Sequence, residues 1–342
     1  MYKEKTLRLG LIGLGDHMYR RLYPLTVGLP VHLAAVCDRD EERCRRFTEK
    51  FSAERVYTDL EEMLDREELD GVLCAGNAGL HYRAAKACME RGINPFVEKT
   101  PCETYAQAVE LRELEKASGC FTMVGFNRRF TTSYQMAKEI VERREFGEKM
   151  LYMAKYHSSV YPSDEYFLLN HVIHHLDLAR YLMGEIREIH GEKVVRGVGK
   201  AGYHIRFVTE SGALGFLETS SFQREDYPME RVEITGDGCN VIVDNVKGLE
   251  YNRPVSDKRG LSPVLEPGLD LQGWNYNQGH SSLYGHYGFE RELEHYADAV
   301  RGLVSPAATF ADTAETMKLY EELRDHCVPV DSRGGYEDGG CI

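Results

Sequence analysis

The sequence predicts an α/β protein in two parts: a parallel sheet wrapped by helices, then an α+β domain built on an open, mostly antiparallel sheet. Three observations carry this expectation. The 342 residues exceed what one hydrophobic core ordinarily supports. The first ~125 residues alternate short continuous apolar runs with amphipathic stretches, the pattern of βαβ units. Beyond about residue 148 the segments lengthen and alternate apolar with polar positions, as half-exposed strands do.

In the first part the runs 7–15, 32–38, 71–76, 94–98 and 121–126 read as strands buried on both faces. Between them 40–51, 59–66, 79–91 and 104–117 carry apolar residues at helical spacing, with Asp59 and Thr104 as N-caps. In the second part 149–158, 186–197, 202–210, 213–222 and 231–244 read as strands. A helix over 169–184 ends at a glycine suited to a C-cap, and two helices follow near 285–302 and 311–326. Residues 251–284, rich in Pro, Gly, Asn and aromatics without period, read as long loops. The expected division is 1–125 for dinucleotide binding, 126–330 for substrate binding and oligomerisation, with room for a late helix to pack back on the first domain, and a flexible tail 331–342.

Composition narrows the partners. Fifty-five acidic against 42 basic side chains leave a formal charge of −13, which disfavours nucleic acid and anionic membranes. Arg43, Arg45 and Arg46 alternate with Glu and read as a solvated helix face. No stretch approaches the ~18 apolar residues of a spanning helix, and the N-terminus runs into a strand without a signal-peptide core, so a cytoplasmic protein is expected. The nine cysteines are scattered without a C-x-x-C pair, which points to reduced thiols and no zinc site.

The first chemistry-bearing motif is Gly13-Leu14-Gly15-Asp16-His17-Met18, directly after the first strand. It matches G-x-G-x-x-G at its first two glycines. The first makes the tight turn and the second lets backbone approach a pyrophosphate. Met18 replaces the third, which normally serves helix–strand packing. The second strand ends in Asp38, 23 residues beyond Gly15, where an acid binds adenosine ribose hydroxyls. Strand, turn, helix and acid together predict an N-terminal Rossmann fold that binds NAD; Arg39, directly after the acid, leaves NADP as the alternative.

Over nearly its whole length the chain resembles the Gfo/Idh/MocA family of nicotinamide-dependent oxidoreductases. The likeness rests on the glycine turn, on Glu98-Lys99-Thr100-Pro101 at a strand end, on Val124-Gly125-Phe126-Asn127-Arg128-Arg129-Phe130, and on the block Asn170 to Gly184. The resemblance implies that Lys99, the lysine of the family's E-K-P, lies beside the nicotinamide and the reacting hydroxyl. An ammonium there can hold an alcohol and stabilise a developing alkoxide. The family's D-x-G-x-H-x-x-D, aligned through Asp177 and Gly184, puts His174 at the histidine, Val172 at the glycine and Asn170 at the first acid. An unperturbed imidazole suits proton exchange at neutral pH. Asn170 can orient a hydroxyl but cannot take a proton as a carboxylate does.

The resemblance further places Ala75, Gly76, Asn77 and His81 on the cofactor side, with Glu98, Asn127 and Arg128. Arg128, His171 and Trp274 are expected at the substrate, and His175 in packing. His171 and His175 have a spacing seen in zinc sites, but neither a third ligand nor a glutamate base accompanies them, so no metal is expected. The activity implied is hydride transfer at a hydroxyl carbon of a sugar, polyol or related small substrate. Glycoside cleavage by transient ring oxidation, or a non-catalytic dinucleotide sensor, are the alternatives. Self-association through the second sheet, as homodimer or homotetramer, would cover its open face.

Overall fold

The computed structural model describes residues 5–223, 229–252, 269–270 and 287–330. The chain forms two compact units. One ends at Met136 and resumes for a segment ending at Lys318; the other starts at Ala137 and resumes at Leu319.

The first unit holds β1 (Leu7–Ile12), β2 (Val31–Cys37), β3 (Arg55–Tyr57), β4 (Gly71–Cys74), β5 (Asn94–Glu98) and β6 (Met123–Gly125). They pair only in parallel, in the order β3-β2-β1-β4-β5-β6. The continuous apolar runs become these strands because both faces are buried, as Leu11, Val36, Leu73 and Phe96 illustrate. Helices α2 (Glu41–Lys50), α3 (Leu60–Arg66), α4 (Ala78–Met89) and α5 (Tyr105–Ser118) start at Asp40, Asp59, Asn77 and Thr104, whose side chains accept otherwise orphaned N–H groups. Asp59 and Thr104 thus act as expected.

Two features were not legible beforehand. After the glycine turn the chain makes a π-helical turn, Met18–Leu22, before α1 (Tyr23–Thr26). Pro24 cannot donate, and the Tyr23 N–H reaches back five residues to the Met18 carbonyl. The three-residue β3 is too short to display a period.

The first compact unit runs past the expected 125/126 boundary to Met136 and takes in a late helix, as the sequence reading allows. The first unit includes the 3₁₀ turn Asn127–Phe130 and α9 (Phe289–Val300). Leu293, Tyr296 and Ala297 of α9 join the core that contains Leu9, Leu73 and Phe96. The Tyr296 hydroxyl receives the Val72 N–H at 3.0 Å and donates to the Asn94 carbonyl at 2.7 Å, fastening α9 to β4 and β5. Residues 331–342, expected as a tail, lie outside the described residues.

Helix α6 (Thr132–Val141) leads into the second unit. This comprises β7 (Lys149–His157), α7 (Asp164–Phe167), α8 (Ile173–Met183), β8 (Ile186–Val195), β9 (Ala201–Thr209), β10 (Leu214–Ser220), β11 (Met229–Gly236), β12 (Asn240–Asp244), β13 (Gly248–Asn252), β14 (Leu269–Asp270) and, after α10 (Phe310–His326), β15 (Val328–Pro329). The nine strands run β14-β13-β12-β11-β7-β10-β9-β8-β15, antiparallel except β7 with β10 and β8 with β15. The strand expected over 231–244 is a hairpin, because Gly238 at φ +79° turns the chain between β11 and β12. Alternation buries Tyr152, Ala154 and Leu217 and leaves Leu151, Met153, Leu214 and Phe216 exposed on the other side. A π-helical turn, Leu168–Val172, precedes α8, which ends at Gly184 with φ +98°.

Candidate active site

Beyond the end of β1, Gly13 turns at φ +81°, and a Cβ there would lie 2.1 Å from the Ala75 carbonyl oxygen. Only glycine fits so close an approach. The Gly13 N–H donates to Cys37 and the Ala75 N–H to Ile12, which laces together the ends of three strands. A Cβ on Gly15 would meet nothing within 4 Å, so the turn presents bare backbone to open space. That space is a cleft of about 490 Å³ whose walls include Gly13, Gly15, Asp38, Arg39, Gly76 and Asn77.

The buried Asp38 carboxylate is built into the turn. One oxygen accepts the Leu14 N–H at 2.8 Å and the other the Asp40 N–H at 3.0 Å. Other expected cofactor residues take different positions. The side chains of Leu14 and Met18 lie in the core, so Met18 does the packing that a third glycine would do. Asp16 is exposed and pairs with Arg46 at 3.2 Å. Ala75 lines the cleft, and the Asn77 amide oxygen accepts the Leu80 N–H as the cap of α4.

Sequence reasoning missed Arg43, Thr58, Arg83 and Glu103 on the same cleft. The charge pattern alone reads Arg43 with Arg45 and Arg46 as a solvated face. Arg45 does pair with Glu42 and Glu49 in solvent, whereas the Arg43 guanidinium comes within 3.7 Å of Asp38. The signal was its place three residues after the Asp40 cap, which turns it toward the end of β2.

Glu98 closes β5 and Lys99 follows it. A Cβ on Gly125 of β6 would stand 3.1 Å from the Glu98 carboxyl carbon, so that glycine makes room for the acid. The buried Glu98 meets His17 Nε2 at 2.9 Å, which ties the glycine turn to the strand end, and accepts the Lys99 N–H at 3.2 Å. Burial alone would raise the Glu98 carboxyl. The charge and hydrogen bond of His17, with Lys99 and His81, hold it below the usual glutamate value. Loss of hydration lowers the ammonium of half-buried Lys99, Arg128 and Arg21 push the same way, and Glu98 opposes them.

His81 is buried on α4, its ring nitrogens 2.7 Å from the Thr100 carbonyl oxygen and 2.8 Å from the Gly76 N. Asn127 is buried and donates to the Tyr287 carbonyl at 2.7 Å. The Arg128 guanidinium stacks over the Tyr287 ring at 5.7 Å.

In the second unit Asn170 and His171 lie on the π-helical turn and His174 on α8. The Asn170 amide donates to the Tyr166 carbonyl of its own helix at 3.1 Å. His171 stacks on Tyr156 with ring centroids 3.7 Å apart and meets the Tyr161 hydroxyl at 3.1 Å. His175, wholly buried, stacks on the same Tyr156 and approaches Glu230 at 3.6 Å. His174 is buried on α8. Trp274 lies outside the described residues. Among the described residues no group of three or more His, Cys, Asp or Glu is arranged to hold a metal ion, and no helix is long and apolar enough to cross a membrane.

A parallel sheet in the order 3-2-1-4-5-6, bare glycine backbone at the β1 turn and an acid at the end of β2 define a dinucleotide-binding unit. Residues 7–126 match the model of an oxidoreductase family with an NAD-binding Rossmann fold, and 134–241 match the GFO/IDH/MocA C-terminal domain. The chain belongs to the Gfo/Idh/MocA family and is an NAD-dependent oxidoreductase acting on CH–OH groups. It is 29% identical over 270 residues to a myo-inositol 2-dehydrogenase of Thermotoga maritima, covering 74% of this chain and 79% of that one. A scyllo-inositol 2-dehydrogenase (NAD(+)) of Bacillus subtilis is 24% identical over 92% of both chains. The crystal structure of a dehydrogenase from Chromobacterium violaceum superposes with a TM-score of 0.82 at 25% identity, over 94% of each chain.

Proposed function

We propose that the protein oxidises a ring hydroxyl of a cyclic polyol with NAD, using Lys99 and His174 on the substrate oxygen. The observation that carries this reading is the Lys99 ammonium, held below the usual lysine value at a strand end whose acid is bonded to the glycine turn. A lysine that parts with its proton more readily can take one from a hydroxyl as the carbinol hydrogen departs. When bound, NAD supplies the acceptor for that hydride. Asn170 orients a substrate hydroxyl, while His174 exchanges its proton with solvent. The inositol dehydrogenases among the relatives support a cyclic polyol as the substrate class. The test is a screen of the purified protein with NAD against inositols, other polyols, sugars and glycosides. Growth of reduced-nicotinamide absorbance with an inositol is expected; NAD binding with no reduction by any of them would overturn the proposal.

Asp38 supports NAD over NADP, since its carboxylate at the cleft repels a 2′-phosphate. Calorimetric titration should give tighter binding of NAD, and the reverse order would mean that Arg39 and Arg43 set the preference. The exposed strand faces support a homodimer or homotetramer: Leu214 stands opposite Leu151 and Phe216 opposite Met153, an apolar strip that a second copy would cover. Light scattering at micromolar concentration should show an assembly larger than one chain, and a monomer would count against it.

A further inference from the structure

His81 has no established task in this chain, and the family resemblance would set it against the cofactor. Its ring is 1% exposed and both nitrogens meet backbone groups of different loops. The Gly76 N–H can only donate, so Nε2 accepts it at 2.8 Å; the Thr100 carbonyl can only accept, so Nδ1 carries the proton at 2.7 Å. Backbone chemistry on both sides therefore fixes one neutral tautomer. Burial reinforces it by pulling the ring's pKa down to about 4, against the small opposing pull of the Thr100 carbonyl and Glu98. The two loops so joined differ in duty. Gly76 follows β4 and lines the cleft, and Thr100 directly follows Lys99 at the end of β5.

We infer that His81 is a positioning residue, a buried brace that fixes the Lys99–Thr100 turn against the Gly76 wall of the dinucleotide cleft and so sets where the lysine stands relative to the cofactor. It touches neither reactant. The inference rests on the proposed role of Lys99.

Two substitutions separate the two bonds. An asparagine amide nitrogen occupies the place of Nδ1, so His81→Asn keeps the donor to Thr100 and drops Gly76. A glutamine oxygen reaches the place of Nε2, so His81→Gln keeps the acceptor for Gly76 and drops Thr100. His81→Leu removes both. In the inositol assay His81→Leu should lower kcat about 100-fold, the effect of a lysine misplaced by about an ångström, and weaken NAD binding about tenfold by the same loosening. His81→Asn should recover most of the kcat but not the affinity, and His81→Gln the affinity but not the kcat. Parallel loss of both quantities in all three variants would reduce His81 to a structural residue and overturn the inference. So would wild-type kcat in His81→Leu.

Lys99→Met in the same assay separates this outcome from failure of the functional reading: if it turns over normally, Lys99 is not the acting group. Should no polyol be oxidised, hydrogen exchange at the Gly76 amide and NMR titration of the Lys99 ammonium read the brace without turnover. Exchange should quicken in His81→Leu and His81→Asn alone. The ammonium, which faces Glu98, Arg128 and Arg21, should shift in His81→Leu and His81→Gln alone. An unchanged titration in all variants would overturn the inference, and calorimetric NAD binding shows in each case that the variant is folded.

Discussion

The two units use their polar side chains in opposite ways. In the first, Asp38 bonds to the Leu14 N–H, Glu98 to His17 and His81 to the Thr100 carbonyl, each reaching from one segment at the ends of the parallel strands to another. Each bond there fixes a loop around the cleft. In the second, Asn170 bonds to its own helix, and His171 and His175 stack on one tyrosine of β7. There the polar groups shape a helix and its packing. The contrast teaches that a parallel sheet, which gathers strand ends at one edge, makes a cleft out of turns, whereas the mostly antiparallel sheet offers a face on which a helix packs.

The sharpest way to break this comparison is to remove the proposed acting group from the first unit. Lys99→Ala should lower kcat by about 10³-fold or more, the order expected for loss of a positioned acid–base group, while NAD affinity stays within a few-fold by calorimetry. Its backbone N–H still bonds to Glu98, so the strand end keeps its form. An equal loss of NAD binding would make the lysine part of the cofactor wall and dissolve the division of labour between the turn and the strand end.

A second effect follows from the buried histidine of the same unit. The folded pKa of His81, about 4, lies below the 6.5 of an unfolded chain. Between those values the unfolded state binds the extra proton, so stability falls as pH drops through this window and is unaffected above it. The slope approaches ~1.4 kcal/mol per pH unit, a total of roughly 3 kcal/mol. In His81→Asn the acid limb of a denaturation midpoint plotted against pH should flatten. An equally steep limb in the variant would assign the acid sensitivity to other groups.

Legibility in the sequence follows the same contrast. Gly13, Gly15, Asp38, Asp59 and Thr104 were readable because turns and caps demand particular backbone conformations or short side-chain acceptors, and such demands are local. The π-helical turns were not, because a register shift of one residue leaves the apolar spacing nearly unchanged. Arg43 at the cleft, and the part played by Gly125 within its quoted segment, escape the sequence for another reason. Their meaning lies in a carboxylate brought close by the fold, Asp38 in one case and Glu98 in the other, and neither charge nor smallness reveals that from the chain alone. The placement of α9 beside β4 and β5 depends on Tyr296, a residue whose period marks an amphipathic helix but not the sheet it will cover.

The smallest effect concerns Asn170, where the chain departs from the acid of the family motif. Its amide donates to the Tyr166 carbonyl at 3.1 Å, a bond that a carboxylate at neutral pH cannot make. Asn170→Asp should therefore cost about 1 kcal/mol of stability. The informative readout is the pH dependence of turnover. Asn170 and His174 are four residues apart on one continuous helical stretch, so a new negative charge at 170 favours the imidazolium form of His174. The histidine-like limb of kcat/KM should move to higher pH, with kcat on the plateau changed only a few-fold. If the limb stays put while stability drops, Asn170 serves its helix alone, as its hydrogen bond suggests, and the second unit contributes its chemistry through His174 without a partner at this position. If the limb moves, the amide stands where the family places an acid, and the neutral side chain is what keeps the imidazole deprotonated at lower pH than a carboxylate would allow.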